Sequence, residues 1–412
     1  MSTSLQRLRR VASGATLHEP GSRLLAAASA VHLLNDACFA ILYPLLPLIA
    51  ADLKLNYAQV GLLKATFSGA SSLLQIPAGM LGAAIGEYLV LLLGNLWVGI
   101  GVVAMGLAGS YLGLLALAAL AGFGGNAQHP LANSAVSQRM TPARMATALG
   151  TLNFAGDLGK FVGPVIAGVV AVRFGWRYGL GTVGVMTALV TLGLLLRRGL
   201  VEPPETAEEP VQPETATQPS AQPRTIHRGF SLLLLAGSLD NATRGAALTF
   251  LPFVLAHKGL AASTVSLAFG LIFAGGAAGK FACGWLTDRF GPLAVIVVTE
   301  TVTASALLGF LVSPAAAAIP LALGFGFVLN GTSSAFAVAV TGFVPARSRS
   351  RGYGIYFTAA LLSSALAPLA YGQLGDAAGL TVVFVVMALL TLAVILAALP
   401  IRRALAETLA QI

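Results

Sequence analysis

The chain has 412 residues, of which 57% are hydrophobic and 9% charged, and its formal net charge is +9. A soluble globule carries about 25% charged residues, so this chain has too little polar surface for water alone, and the lipid bilayer must be among its partners. The excess Lys and Arg is scattered between apolar runs rather than gathered into a patch. That argues against nucleic acid as a partner and reads as a topology signal.

The opening MSTSLQRLRR is basic, and no short apolar segment with a small-residue cleavage site follows it, so residues 1–23 are expected to be an uncleaved cytoplasmic tail. A spanning helix needs roughly 20 mostly apolar residues. Twelve such segments follow, near 24–50, 58–82, 87–108, 111–136, 147–171, 177–196, 230–256, 263–285, 292–312, 317–340, 353–373 and 379–400. Between the sixth and seventh lies VEPPETAEEPVQPETATQPSAQPRTIHR, rich in Pro, Glu and Thr and without the apolar residues needed to fold. Residues 197–229 are therefore expected to form a disordered cytoplasmic linker between a six-helix bundle at 24–196 and another at 230–400, with 401–412 a cytoplasmic tail.

With the N-terminus inside, only Lys54, Arg173, Arg177 and Lys258 fall in loops on the far side, whereas sixteen of the 24 basic residues fall in the tails and near-side loops. This asymmetry predicts a multi-pass protein with both termini in the cytoplasm. The expected location is the inner membrane of a bacterium. The halves also repeat at an offset of 202 to 205 residues: Asn35 and Asp36 fall opposite Asp240 and Asn241, Pro47 opposite Pro252, Gly122 opposite Gly324, Pro142 opposite Pro345, and Pro164 opposite Pro368. The expected fold class is thus an all-α polytopic membrane protein of twelve helices in two pseudo-symmetric six-helix halves. Repeated halves of this kind are common in secondary transporters, whose substrate sites lie near the midplane.

Cys38 and Cys283 lie in apolar runs with no CxxC spacing and no metal box, so both read as packing residues, and neither metal nor other cofactor is expected. There is no Gly-rich loop with Lys and Ser/Thr, no HExxH and no GxSxG in a strand-turn-helix setting, which argues against an enzyme.

GWLTDRFG at 284–291 resembles the signature of the major facilitator superfamily, a glycine-spaced Asp-Arg loop between the second and third helices of a half. In that family its Asp meets the N-terminal end of a helix from the other half, so the resemblance implies a conformational latch at Asp288 and Arg289. The first half keeps the frame as GMLGAAIG at 79–86, but Ala83 and Ala84 replace the Asp and Arg. In the fifth segment Gly150, Gly159, Gly163, Pro164, Ala167 and Gly168 resemble the glycine-and-proline motif of the antiporter branch, with Ala167 in place of one glycine. Small residues there let helices approach closely, and Pro164 interrupts the backbone ladder. HLLND, LLQIPAG, the run Gln128, His129, Pro130, and NFAGDLGKFVGP together resemble the fosmidomycin-resistance group of efflux proteins. This implies proton-driven export.

Ionised residues at the middle of a membrane helix cost roughly 2.5 to 3.5 kcal/mol and usually face water or one another. His32 and Asp36 are four apart, Asp157 and Lys160 three apart, and Asp240 and Arg244 four apart, so each couple shares one helix face. In the resembled family these helices line a central cavity, to which a fourth brings His129. Asp36 has no fixed cation at helical spacing, only His32, whose charge switches near neutral pH, so these two are the proton-coupling candidates. A plain hydrogen-bonding role for Asp36 is the competing reading.

Asn35, His129, Asp157, Lys160, Asp240, Asn241 and Arg244 are the substrate-cavity candidates. Arg244 and Lys160 suit an anionic group unless their own acids neutralise them, and His129 suits either cargo or a neighbouring helix. Lys280 is expected to snorkel to cytoplasmic water and Lys64 to the outer interface. Glu300 has no evident partner. The predicted function is a monomeric, proton-coupled exporter of a small drug-like or anionic organic compound by alternating access. The alternative is an importer or metabolite exchanger, and a non-transporting receptor has less support.

Overall fold

The structure is a computed structural model that describes residues 20–73, 75–125, 128–201, 228–344 and 349–410. Most of the expected N-terminal tail and of the expected linker lies outside them. All backbone polar groups in a lipid-exposed segment must be satisfied internally, and helices achieve this. The first span is Pro20–Ala40 continued by Leu42–Leu53, and the second is Tyr57–Leu73 with Gln75–Ile85. The third is Glu87–Gly106, the fourth Tyr111–Gly122 with Gln128–Gln138, the fifth Pro142–Phe174 and the sixth Trp176–Leu196, followed by a short turn at Arg198–Val201. The seventh to tenth are Arg228–His257, Ala262–Phe290, Pro292–Val312 and Ala318–Thr341. Arg349–Ala410 supplies the last two, divided at Gly379.

Among the described residues, eight helical stretches are long and apolar enough to cross a membrane by length and composition, the last of them, Gly352–Ala397, holding two crossings. The second and fourth spans are met as shorter helices, and the seventh carries Asp240 and Arg244. The helices fit the twelve-span fold expected from the sequence.

Gly86, Gly175, Gly291 and Gly379 have φ of 97°, 91°, 81° and 83°. Each sits between the second and third helices of a three-helix unit and reverses the chain with almost no loop, in a backbone conformation that L side chains resist. The Asp-Arg signature consequently lies in the last helical turn of the eighth span, which runs to Phe290, rather than in a loop.

The core shows how the halves meet. One cluster joins both halves and includes Leu45, Ile49, Phe67, Phe250, Leu251 and Phe269. Towards the end that bears the chain termini the core divides in two: Leu24, Tyr88, Leu131 and Leu152 belong to the first half, Phe230, Ile296, Phe336 and Tyr356 to the second. The upper part of the second span, Tyr57–Leu73, packs on the eleventh span, and among the described residues its continuation Gln75–Ile85 packs instead on the third and fourth. The halves are therefore closed at one end and splayed at the end bearing the termini.

Candidate functional site

The splayed halves enclose a cavity of about 330 Å³ at mid-depth. Asn35, Asp36, His129, Asp157, Lys160 and Arg244 all line it. Four sequence segments far apart in the chain are thus brought together there. His32 is buried behind Asp36, and Asp240 is buried behind Arg244.

Asp36 sits at a junction of three basic groups. Its Oδ2 is 3.4 Å from His32 Nε2 one turn below and 3.0 Å from Lys160 Nζ of the fifth span, and its Oδ1 is 3.8 Å from His129 Nε2 of the fourth. The two imidazole rings meet edge to face with centroids 4.7 Å apart. Gly156 makes room for this cluster, since a Cβ there would stand 2.5 Å from Asp36 Oδ2 and 2.7 Å from His32. Asp36 has no fixed cation along its own helix, but the fifth span supplies one in Lys160, which spacing along one helix cannot show. His129 has 46% of its side chain exposed while His32 has 1%, so one histidine meets cavity water and the other is walled in. His32, Asp36 and His129 offer three metal-ligating atoms within 4.8 Å of one another. The carboxylate between them already faces the Lys160 ammonium, whose charge opposes a cation, so the set fits a metal poorly.

Lys160 also lies 3.3 Å from Asp157 Oδ1, as its helical spacing predicts. Asp157 in turn takes a second cation: Lys280 Nζ of the eighth span donates to both its oxygens at 2.9 Å. Lys280 therefore faces the cavity instead of snorkelling to the membrane surface, because an acid from the opposite half compensates its charge there. The series Asp36, Lys160, Asp157, Lys280 alternates in sign and crosses from one half to the other. Lys64 likewise departs from expectation, being buried in the cavity wall instead of reaching the interface.

In the second half Arg244 Nη2 donates to Asp240 Oδ2 at 3.2 Å, and its Nη1 approaches Asn330 Oδ1 at 3.5 Å. Glu300, buried in the ninth span, lies beside the Asp240 carboxyl. A membrane acid without a visible partner is the one signal the sequence offers for it. Asn241 Nδ2 donates to the Gly237 carbonyl of its own helix at 2.8 Å and to Asp240 Oδ2 at 3.4 Å. Asn35 is buried beside Asp36, and among the described residues its Nδ2 has no hydrogen-bond partner.

Gly159 and Gly163 press the fifth span against the first at Leu33 and Ala37, and Gly168 meets Ser266 of the opposite half. Pro164 lies inside this helix, where it removes a ladder hydrogen bond. The close approach is what puts Lys160 within reach of Asp36. Asp288 and Arg289 are exposed at the splayed end. Arg289 lies over the Trp285 and Phe290 rings of its own helix, and among the described residues no ion pair involves Asp288 or Arg289.

The closed end has a fastening that motif reading does not show. Asp376 accepts from the backbone N–H groups of Tyr57 at 2.7 Å and Ala58 at 2.9 Å, the exposed first turn of the second span in the other half. The Tyr57 ring stands edge to face with Phe253 at 5.4 Å, and Gly61 lets the second span touch the Pro368 backbone.

Two stretches of the chain, 28–239 and 233–411, match the family described as Major Facilitator Superfamily. The chain is 31% identical over 175 residues to the fosmidomycin resistance protein of Escherichia coli (strain K12), a match that takes in 42% of this chain and 43% of that relative, less than half of each. It is 26% identical over 358 residues to the hexuronate transporter of Bacillus subtilis (strain 168), covering 81% of this chain and 84% of that one. Among solved structures, a bacterial homologue of the human lysosomal transporter Spinster, in an inward-facing and occupied conformation, superposes with a TM-score of 0.79 at 19% identity, over 96% of this chain and 99% of that one. A twelve-span fold with repeated halves, a mid-depth cavity between them and a family match along nearly the whole chain place this protein in the Major Facilitator Superfamily.

Proposed function

We propose that the protein is a proton-coupled exporter of a small organic compound, working by alternating access with both termini in the cytoplasm. The observation that carries this reading is the position of Asp36, on the cavity wall at the meeting point of Lys160, His32 and His129. A proton arriving at the carboxylate cancels its attraction for Lys160. The ammonium then leans on Asp157, which already holds Lys280 of the other half, so a charge change at one oxygen pair reaches the contact between halves. Each charge state favours a different packing of the halves, and cargo and proton need only prefer different states to drive one another across. The name of the fosmidomycin resistance protein supports export, whereas that of the hexuronate transporter is equally compatible with uptake.

The test compares wild type with Asp36→Asn in a toxin-sensitive host and in vesicles carrying a pH-sensitive dye. Export coupled to protons gives resistance in the wild type, loss of resistance in the variant, and proton counterflow only with wild type. Resistance and proton movement that both survive the substitution would remove Asp36 from the mechanism. Uptake of the same compound down a proton gradient would establish the importer instead.

A further inference from the structure

Among the described residues, the pairing of charges in the cavity leaves one cation over. Lys160 faces Asp36 and Asp157, Lys280 holds Asp157, and Arg244 is matched by Asp240, with Glu300 buried beside that acid. Lys64, from the second span, lines the same cavity and is only 4% exposed. Its Nζ donates to Ser68 Oγ at 2.9 Å and stands 4.1 Å from the centroid of the Tyr43 ring, with Phe67 at 5.7 Å. Among the described residues no carboxylate forms an ion pair with it.

A buried ammonium whose described partners are a hydroxyl and two ring faces is incompletely compensated, and an approaching anion completes it. The surroundings suit that role. Tyr43 is held in place by stacking on Phe269 at 6.0 Å, and Ser68, Ser71 and Ser72 line the cavity beside the lysine. The lysine lies on the closed side of Asp36, since Tyr43 is about two helical turns further along the first span. A cargo entering from the splayed end would therefore pass the Asp36 cluster before reaching it.

We propose that Lys64 and Ser68, under the Tyr43 ring, are a fixed receptor for an oxyanion carried by the cargo, a carboxylate, sulfonate or phosphonate group. The proposal rests on the reading of the central cavity as the cargo site, and it divides labour within that cavity. Lys64 recognises the charge of the cargo without releasing it to another protein acid, while the Asp36 cluster answers to protons.

The experiment is equilibrium binding to purified full-length protein in a neutral detergent, using benzoate, benzenesulfonate and phenylphosphonate, each compared with neutral benzamide. Wild type is expected to prefer at least one acid over the amide by about tenfold. Lys64→Gln is expected to remove that preference, Lys64→Arg to retain most of it, and Ser68→Ala to reduce it by about threefold. The last variant carries the test if Lys64→Gln fails to give monodisperse protein. A preference untouched by Lys64→Gln or Ser68→Ala overturns the proposal. So does a wild type that binds benzamide as well as the acids, or that binds none of the acids at millimolar concentration. A parallel set in bilayer discs with and without anionic lipid tests whether a lipid headgroup fills the site. Competition between that lipid and the acids that vanishes in Lys64→Gln assigns the site to lipid and overturns its assignment to cargo. Binding at equilibrium depends on neither direction nor proton flow, so failure here is distinct from failure of Asp36→Asn to abolish counterflow.

Discussion

Replacing Asp376 by Ala tests the fastening at the closed end. The wild-type carboxylate accepts two backbone N–H bonds, at 2.7 and 2.9 Å, from a helix start in the other half. Hydrogen bonds to a charged acceptor contribute about 1.5–3 kcal/mol each when protected from water, and a carboxylate at a helix N-terminus adds about 0.3–1 kcal/mol. Asp376 is exposed, so water competes for both partners and the sum must be discounted heavily. A net loss of about 1.5 kcal/mol is a reasonable figure, equivalent to about a tenfold shift between conformers.

These bonds exist only while the second and eleventh spans touch, so the whole loss falls on conformers closed at this end. The assay is a pair of spin labels on Ala51→Cys and Ala261→Cys, both exposed and on opposite halves at the closed end, read as a distance distribution in lipid discs. Asp376→Ala should raise the ratio of long to short distances about tenfold, and Asp376→Asn, which keeps an acceptor but loses the charge, by about threefold. A distribution indistinguishable from wild type in the alanine variant would refute the argument that this contact holds the halves together.

Other substitutions probe the remaining contacts. Gly159→Leu drives a side chain into the Leu33 backbone of the first span, and overpacking costs at least about 1–3 kcal/mol, so thermal unfolding in detergent should fall by several degrees or expression should fail. A double-mutant cycle of Asp157→Asn and Lys280→Gln, read on the same closed-end distances, should give a coupling of about 0.5–1 kcal/mol, because 39% of the lysine side chain meets water; additive effects would deny that this pair joins the halves. Asp288→Asn should increase labelling of cysteines at the splayed end by weakening the proposed latch in the alternate conformer, and unchanged accessibility would count against a latch at that position.

What the sequence determined by itself is what lies along one helix. Apolar runs of spanning length, the repeat offset, and the couples His32 with Asp36, Asp157 with Lys160, and Asp240 with Arg244 are all legible because rise and turn per residue fix which side chains share a face. Only the tertiary structure decided the partners between helices: Lys160 for Asp36, Lys280 for Asp157, Glu300 for Asp240, and the Tyr57 backbone for Asp376. Those depend on the depth and rotation of each span against its neighbours. Close contacts at Gly159, Gly163 and Gly61 set them, and no spacing in a single chain segment encodes such a contact.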